Sequence, residues 1–141
     1  MKFIESIKNI FAKKNNISKL KVLREKVKKQ DYFMGEFIGE AIDVDGVVSN
    51  ILEIYTKGNI SKLKSTFHKG TTITNRLISL RKEISIDIIS VDFLQEWESL
   101  WQRMEAKAGS DPLESLIQKL RSNRERLNTE LVNKIKTTFK L

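Results

Sequence analysis

The sequence predicts an all-α fold: a compact bundle of five to six helices that ends in a long C-terminal helix at about residues 112–138. Apolar residues recur at helical spacing along most of the chain, which contains a single Pro. The alternating stretch at residues 84–90 is ambiguous, but no second strand candidate accompanies it to supply backbone hydrogen bonds. Because 141 residues is an ordinary size for one domain with one core, we expect residues 1–141 to form a single helical domain.

Residues 1–30 form a basic segment with apolar residues at helical spacing. The segment carries ten Lys or Arg residues and two Asp or Glu residues, so its net charge of +8 equals that of the whole chain. Its second half has a narrow apolar stripe of Leu20, Leu23 and Val27, which predicts a helix surrounded by lysines. Its first half, residues 2–14, has an apolar face formed by Phe3, Ile4, Ile7, Ile10 and Phe11.

A long second helix is predicted from Asp31, which suits the N-cap position, to the Lys57-Gly58 pair. The apolar residues of this segment keep one stripe over its whole length. Gly35 and Gly39 stand four residues apart, so they lie on one face and leave room for a neighbouring helix to approach closely.

The residues Asp43-Val44-Asp45-Gly46-Val47, within this second helix, resemble the nucleophile loop of haloacid dehalogenase-type phosphatases. That resemblance implies that Asp43 attacks phosphorus, that Asp45 acts as acid and base, and that the motif ends a strand of a parallel sheet. The surrounding sequence favours a helix instead, because Glu36 and Glu40 precede Asp43 at helical spacing and the chain lacks alternating strands and helices. We therefore expect no catalytic residues and no enzyme activity.

The second half of the chain predicts further helices. A short helix at about residues 61–69 should stop at Gly70, before another begins. Asp92 and Gln95 have the spacing of a capping box, which predicts the start of a helix at this point. The inner side of that helix carries Phe93, Leu94, Trp97, Leu100, Trp101 and Met104.

The C-terminal helix should begin at Asp111-Pro112, which places a capping side chain before a Pro in the first turn. Leucines at near-heptad spacing then predict a buried seam. Asn123 and Arg124 interrupt that seam in the middle.

Composition excludes several kinds of site. The absence of Cys excludes disulfides, thiolate zinc sites and a cysteine nucleophile, and the single histidine, His68, excludes an ordinary His-based metal site. No run of about 18 apolar residues is present, and the N-terminus lacks the pattern of a signal peptide. We expect no metal, no cofactor and no small-molecule substrate, and a cytoplasmic protein.

The basic residues predict a polyanionic partner, which we take to be nucleic acid or a nucleoprotein complex. The basic segment exceeds its acidic neighbour in charge, because residues 31–60 carry a net −5. Such a surface neutralises phosphates without reading bases, and the aromatic residues, which sit in apolar stripes, do not suggest base stacking. We expect a non-catalytic accessory subunit that also contacts other protein subunits. The predicted polyanion-binding residues are Lys13, Lys14, Lys19, Lys21, Arg24, Lys26, Lys28, Lys29, Arg121, Arg124 and Arg126.

Three alternatives are open at this point. In the first, the basic segment packs against the acidic strip formed by Glu36, Glu40 and Asp43, so that its charge is used within the fold. In the second, the chain is a protein–protein adaptor or inhibitor with Trp97 and Trp101 as interface anchors, unless these tryptophans belong to the core. In the third, the apolar face of residues 2–14 anchors the protein to a membrane surface, unless it docks on the core.

Overall fold

The computed structural model describes residues 16–58, 60–106 and 113–140, which form five α-helices and one short 3-10 helix. Helix α1 covers residues 16–27 of the described part. It is followed by α2 at Tyr32–Lys57, the 3-10 helix at Ile60–Lys62, α3 at Leu63–Lys82, α4 at Val91–Ala106 and α5 at Glu114–Phe139. The predicted all-α bundle and its long C-terminal helix are confirmed.

Helices α2 to α5 form a ring of four around one core. Helix α2 packs on α3, α3 on α4, α4 on α5, and α5 packs back on α2. The closing pair is antiparallel, because Asn128 donates to Asp45 while Arg124, one turn earlier in α5, donates to Ser49, one turn later in α2. The largest fully buried side chains are Trp97, Trp101, Phe37 and Phe67.

Helix α1 lies along α2, outside this ring, where two glycines of α2 let it approach. A β-carbon built on Gly35 would stand 2.6 Å from Cβ of Lys28, and one built on Gly39 would stand 2.8 Å from Cζ of Arg24. The two helices are therefore antiparallel, and the predicted close approach at these glycines is confirmed. Leu20, Leu23 and Val27 of α1 are buried, as their spacing predicted.

The ends of α2 lie where the sequence places them. The Met34 backbone N–H donates to Oδ1 of Asp31 at 3.1 Å, so Asp31 is the N-cap. Gly58 ends the helix with a φ of 74°, a left-handed conformation that glycine adopts without steric cost. The motif Asp43–Val47 lies inside this helix, so the strand that the phosphatase resemblance implies is absent at these residues.

The break predicted at Gly70 is wrong, because α3 runs through it as one helix. Gly70 is buried, and a β-carbon at this position would overlap the indole ring of Trp101 on α4. A glycine at this position allows α3 and α4 to pack closely. The two helices predicted on either side of Gly70 are therefore one continuous helix.

The cap of α4 also differs from the prediction. The Phe93 N–H donates to the hydroxyl of Ser90 at 3.1 Å, so Ser90 occupies the capping position and Asp92 lies in the first turn. The predicted cap at Asp111-Pro112 lies outside the described residues.

The alternating stretch 84–90 is an irregular connection without a strand. Arg81 at the end of α3 satisfies two carbonyl groups of this connection, since its Nε donates to Ile89 at 2.7 Å and its Nη1 donates to Ile84 at 2.9 Å. Ile84, Ile88 and Ile89 are buried. The alternation therefore reflects apolar anchoring of a loop that an arginine holds in place.

Candidate polyanion-binding surface

The exposed side of α1 and of the turn that follows carries five lysines: Lys19, Lys21, Lys26, Lys28 and Lys29. We call these five residues the α1 basic surface. Residues 16–30 contain six basic residues and one acidic residue, a net charge of +5. From Lys19 to the end of α1 at Val27 the helix rises about 12 Å, and Lys28 and Lys29 follow in the turn.

Four of these lysines make no ion pair with any described residue: Lys19, Lys21, Lys26 and Lys29. The fifth, Lys28, places its Nζ 2.9 Å from Oε2 of Glu25. The hydrogen bond and charge of Lys28 lower the pKa of Glu25. Both side chains are exposed, so this ion pair is weak.

Two acidic residues of α2, Glu40 and Asp45, bond to other helices. Oε1 of Glu40 accepts a hydrogen bond from Nε of Arg76 on α3 at 3.1 Å. Oδ1 of Asp45 accepts from Nδ2 of Asn128 on α5 at 2.9 Å. Among the described residues, the ion pair of Glu40 is therefore made with α3, whereas one interpretation of the sequence placed the basic segment against Glu40.

Arg24 differs from the lysines around it, although it lies in the same segment. It is half-buried, its Nε donates to the carbonyl oxygen of Gly35 at 3.2 Å, and its guanidinium covers Gly39. This side chain therefore attaches α1 to α2, and we exclude it from the α1 basic surface.

We do not include the three predicted arginines of α5 in this surface, because Arg124 and Arg126 are engaged in other contacts. Arg124 is 4% exposed, which corrects its assignment as a polyanion-binding residue. Arg126 is exposed, but its Cζ lies 4.5 Å from the ring centre of Phe93 on α4 and its Nε donates to Glu130 at 3.0 Å. Arg121 is half-buried.

Arg124 belongs to a partly buried polar cluster between α2 and α5. Its Nη1 donates to the Ser49 hydroxyl at 3.1 Å, and its Nε lies 3.6 Å from Oδ1 of Asp45. Burial lowers the pKa of Arg124, while the charge of Asp45 opposes that shift. With Asn128, these residues form the polar contact that closes the ring.

Lys136 is a basic residue that the sequence analysis missed. Nδ2 of Asn16 donates to the Thr129 hydroxyl at 3.4 Å, so this face of α5 lies beside the start of α1. Lys136 follows Thr129 by seven residues, which returns it to the same face, and it is exposed. Because α1 and α5 both run antiparallel to α2, Lys136 comes level with Leu23 of α1. The position of Lys136 beside α1 depends on the contact between α1 and α5, which the sequence alone does not reveal.

The two tryptophans predicted as interface anchors are core residues instead. Trp97 and Trp101 are 0% exposed, and their ring centres lie 6.1 Å apart.

Lys13 and Lys14 and the predicted membrane face lie outside the described residues; that face is Phe3, Ile4, Ile7, Ile10 and Phe11. In the described part of the chain, no helix is long and apolar enough to cross a bilayer. The same residues include no group of three or more His, Asp or Glu side chains placed to hold a metal ion.

Two aromatic side chains are exposed next to the α1 basic surface, which the sequence analysis did not foresee. Tyr32 is 67% exposed and Phe33 is 39% exposed. Their ring centres lie 5.5 Å apart at an interplanar angle of 75°, an edge-to-face pair. They occupy the first turn of α2, so they follow Lys28 and Lys29 almost directly.

Comparison of the chain with protein-family models, curated proteins and solved structures finds no match.

Proposed function

We propose that this protein is a non-catalytic nucleic-acid-binding subunit of a larger assembly, and that it contacts phosphates through the α1 basic surface without reading base sequence. The observation that carries the proposal is the set of four exposed lysines on α1 and its turn that make no ion pair with any described residue. A phosphate backbone offers the matching charge, with one phosphate per 3.4 Å of axis in each strand of duplex DNA.

The length of the surface fits a short stretch of such a backbone. About 12 Å of helix corresponds to roughly three or four phosphates along one strand. Lysine suits this role because it is a point charge on a flexible stem, which tolerates variation in phosphate position. Binding of this kind releases condensed counterions, so it supplies affinity without discrimination between sequences.

The test is fluorescence anisotropy with labelled nucleic acids of unrelated sequence, titrated at several salt concentrations. For duplex DNA we expect log K to fall linearly with log salt, with a slope near −0.9 for each phosphate contacted. In the triple variant Lys19→Glu, Lys26→Glu and Lys29→Glu, binding should weaken about equally for all sequences. If three contacts are lost, the slope should become less negative by about 2.7.

A matched control has the same charge change at the other end of the bundle. The triple variant Lys62→Glu, Lys64→Glu and Lys69→Glu alters three exposed lysines near the start of α3. We expect it to keep the salt slope of the parent protein. Equal loss in both triple variants would show that net charge and not the α1 basic surface is responsible. No binding of the parent protein at low salt would refute the proposal.

A further inference from the structure

We infer that Tyr32 and Phe33 form a base-stacking platform beside the α1 basic surface, so that the preferred ligand is single-stranded nucleic acid. The inference rests on the proposed function and specifies its ligand. Proteins that bind single strands combine a positively charged track for the backbone with aromatic side chains on which bases stack. The two elements stand next to each other in this structure.

The distance between the two elements suits one or two nucleotides. Tyr32 follows Lys29 by three positions along the chain, which limits their Cα atoms to about 11 Å apart. A phosphate bound by Lys28 or Lys29 would therefore place its own base, or the next one, within reach of the rings. The rings are large apolar surfaces exposed to water, and stacking covers them.

The turn between the lysines and the rings is held by hydrogen bonds. The N–H groups of Gln30 and Asp31 both donate to the Val27 carbonyl oxygen at 2.9 Å. The Asp31 side chain then caps α2 through the Met34 N–H. The helix turn that carries the rings is thus fixed relative to the lysines before any ligand binds, which reduces the entropy lost on binding.

A duplex cannot use the rings in the same way. Its bases are already paired and stacked, and extruding one costs several kcal/mol. Duplex DNA should therefore contact the lysines alone, while a single strand should contact lysines and rings together.

The test compares short oligothymidine with a duplex of mixed sequence, using fluorescence anisotropy on the full chain. Replacing Tyr32 by Ala should weaken oligothymidine binding roughly 5- to 150-fold, the usual effect of removing one stacking ring. Duplex affinity should be unchanged, and so should the salt slope, because no phosphate contact is lost. Tyr32→Phe should keep the parent affinity, since it keeps the ring. Phe33→Leu should weaken oligothymidine binding while retaining an apolar side chain where Phe33 is partly covered.

Tyr55 provides the matched control, because it is 36% exposed near the other end of α2. Tyr55→Ala should leave both ligands unaffected. Thermal unfolding followed by circular dichroism should show that Tyr32→Ala is folded, as expected for a side chain that is 67% exposed.

The outcomes separate the two proposals. If the parent protein binds neither ligand, the proposed function and this inference both fail. If it binds, and Tyr32→Ala leaves oligothymidine affinity unchanged or weakens both ligands equally, the stacking platform alone is overturned. If Tyr32→Ala instead abolishes flotation with phosphatidylserine-containing vesicles and leaves oligothymidine affinity intact, the rings are a membrane contact and the inference is overturned.

Discussion

Gly70 on α3 lies directly against the indole ring of Trp101 on α4, with no room between them for a methyl group. The contact joins the middle of α3 to one of the two tryptophans of α4, and both residues are buried. It explains why a residue of low helix propensity is found inside a continuous 20-residue helix.

Replacing Gly70 by Ala should destabilise the fold. The added methyl group overpacks the contact with Trp101 at a cost of about 1–3 kcal/mol, while better helix propensity returns up to about 1 kcal/mol. We expect a net loss of about 1–2 kcal/mol, seen as a lower midpoint in urea unfolding. The control is Gly46→Ala on α2, where a new β-carbon meets nothing within 4 Å. That variant should gain about 0.5–1 kcal/mol. A stabilised Gly70→Ala protein would contradict the close contact between Gly70 and Trp101.

Replacing Gly35 by Ala should loosen α1 from α2. The new β-carbon would meet both Cβ and Cα of Lys28, and the α1 backbone cannot move away without losing its packing. Gly39→Ala should have a smaller effect, because it meets the end of the Arg24 side chain, which can rotate. Amide hydrogen exchange of residues 20–27 measures the difference. We expect faster exchange in Gly35→Ala than in Gly39→Ala, and equal rates would disprove the close approach.

Removing the carboxylate of Asp45 should be among the most damaging single changes in α2. Arg124 would keep its buried charge without its partner, a situation that costs about 3–5 kcal/mol. Arg124→Met should be better tolerated, because the Asp45 carboxylate that it leaves is more exposed than Arg124 and keeps its hydrogen bond from Asn128. Asp43→Ala is the matched control, since Asp43 is exposed on the same helix and should change stability by less than about 0.5 kcal/mol. Urea unfolding of the three variants tests this order, and a mild effect of Asp45→Ala would contradict it.

The motif at Asp43–Val47 should not support phosphatase chemistry. Asp43 points outward from the middle of α2, and Asp45 accepts a hydrogen bond from Asn128. We expect no magnesium-dependent hydrolysis of a generic phosphomonoester above the uncatalysed rate. Turnover by the parent protein that disappears in Asp43→Asn would overturn this prediction.

Helix positions and core residues could be predicted from the sequence where local chemistry determines them. Asp31 caps the start of α2, and Gly58 ends the helix in a left-handed conformation. Each of these residues interacts only with residues within about one helical turn of it. The stripe of Phe93, Leu94, Trp97, Leu100, Trp101 and Met104 is buried as its spacing required. Gly70 shows the limit, because a glycine that ends a helix and one that admits a neighbouring ring look the same in a single sequence.

The candidate surface could be predicted in part for the same reason. The lysines of α1 surround a narrow apolar stripe, so their exposure follows from helical spacing alone. The sequence does not distinguish Arg24 and Arg124 from these exposed lysines, because the residues to which the two arginines donate hydrogen bonds lie on other helices. The exposure of Tyr32 and Phe33 depends on the direction in which α2 leaves the turn, and that direction is set by packing of the whole bundle.

The contact that closes the ring joins residues that are far apart along the chain, and this has a consequence for the order of folding. Arg124 and Ser49 are 75 residues apart in sequence, and Asn128 and Asp45 are 83 residues apart. The contacts of α2 with α3 and of α3 with α4 join consecutive helices, so they close short loops at a small entropic cost. We expect these two helical hairpins to be formed in the folding transition state, with α5 docking on α2 afterwards. Substitutions at Asp45 should then mainly accelerate unfolding, whereas substitutions at Gly70 should slow folding.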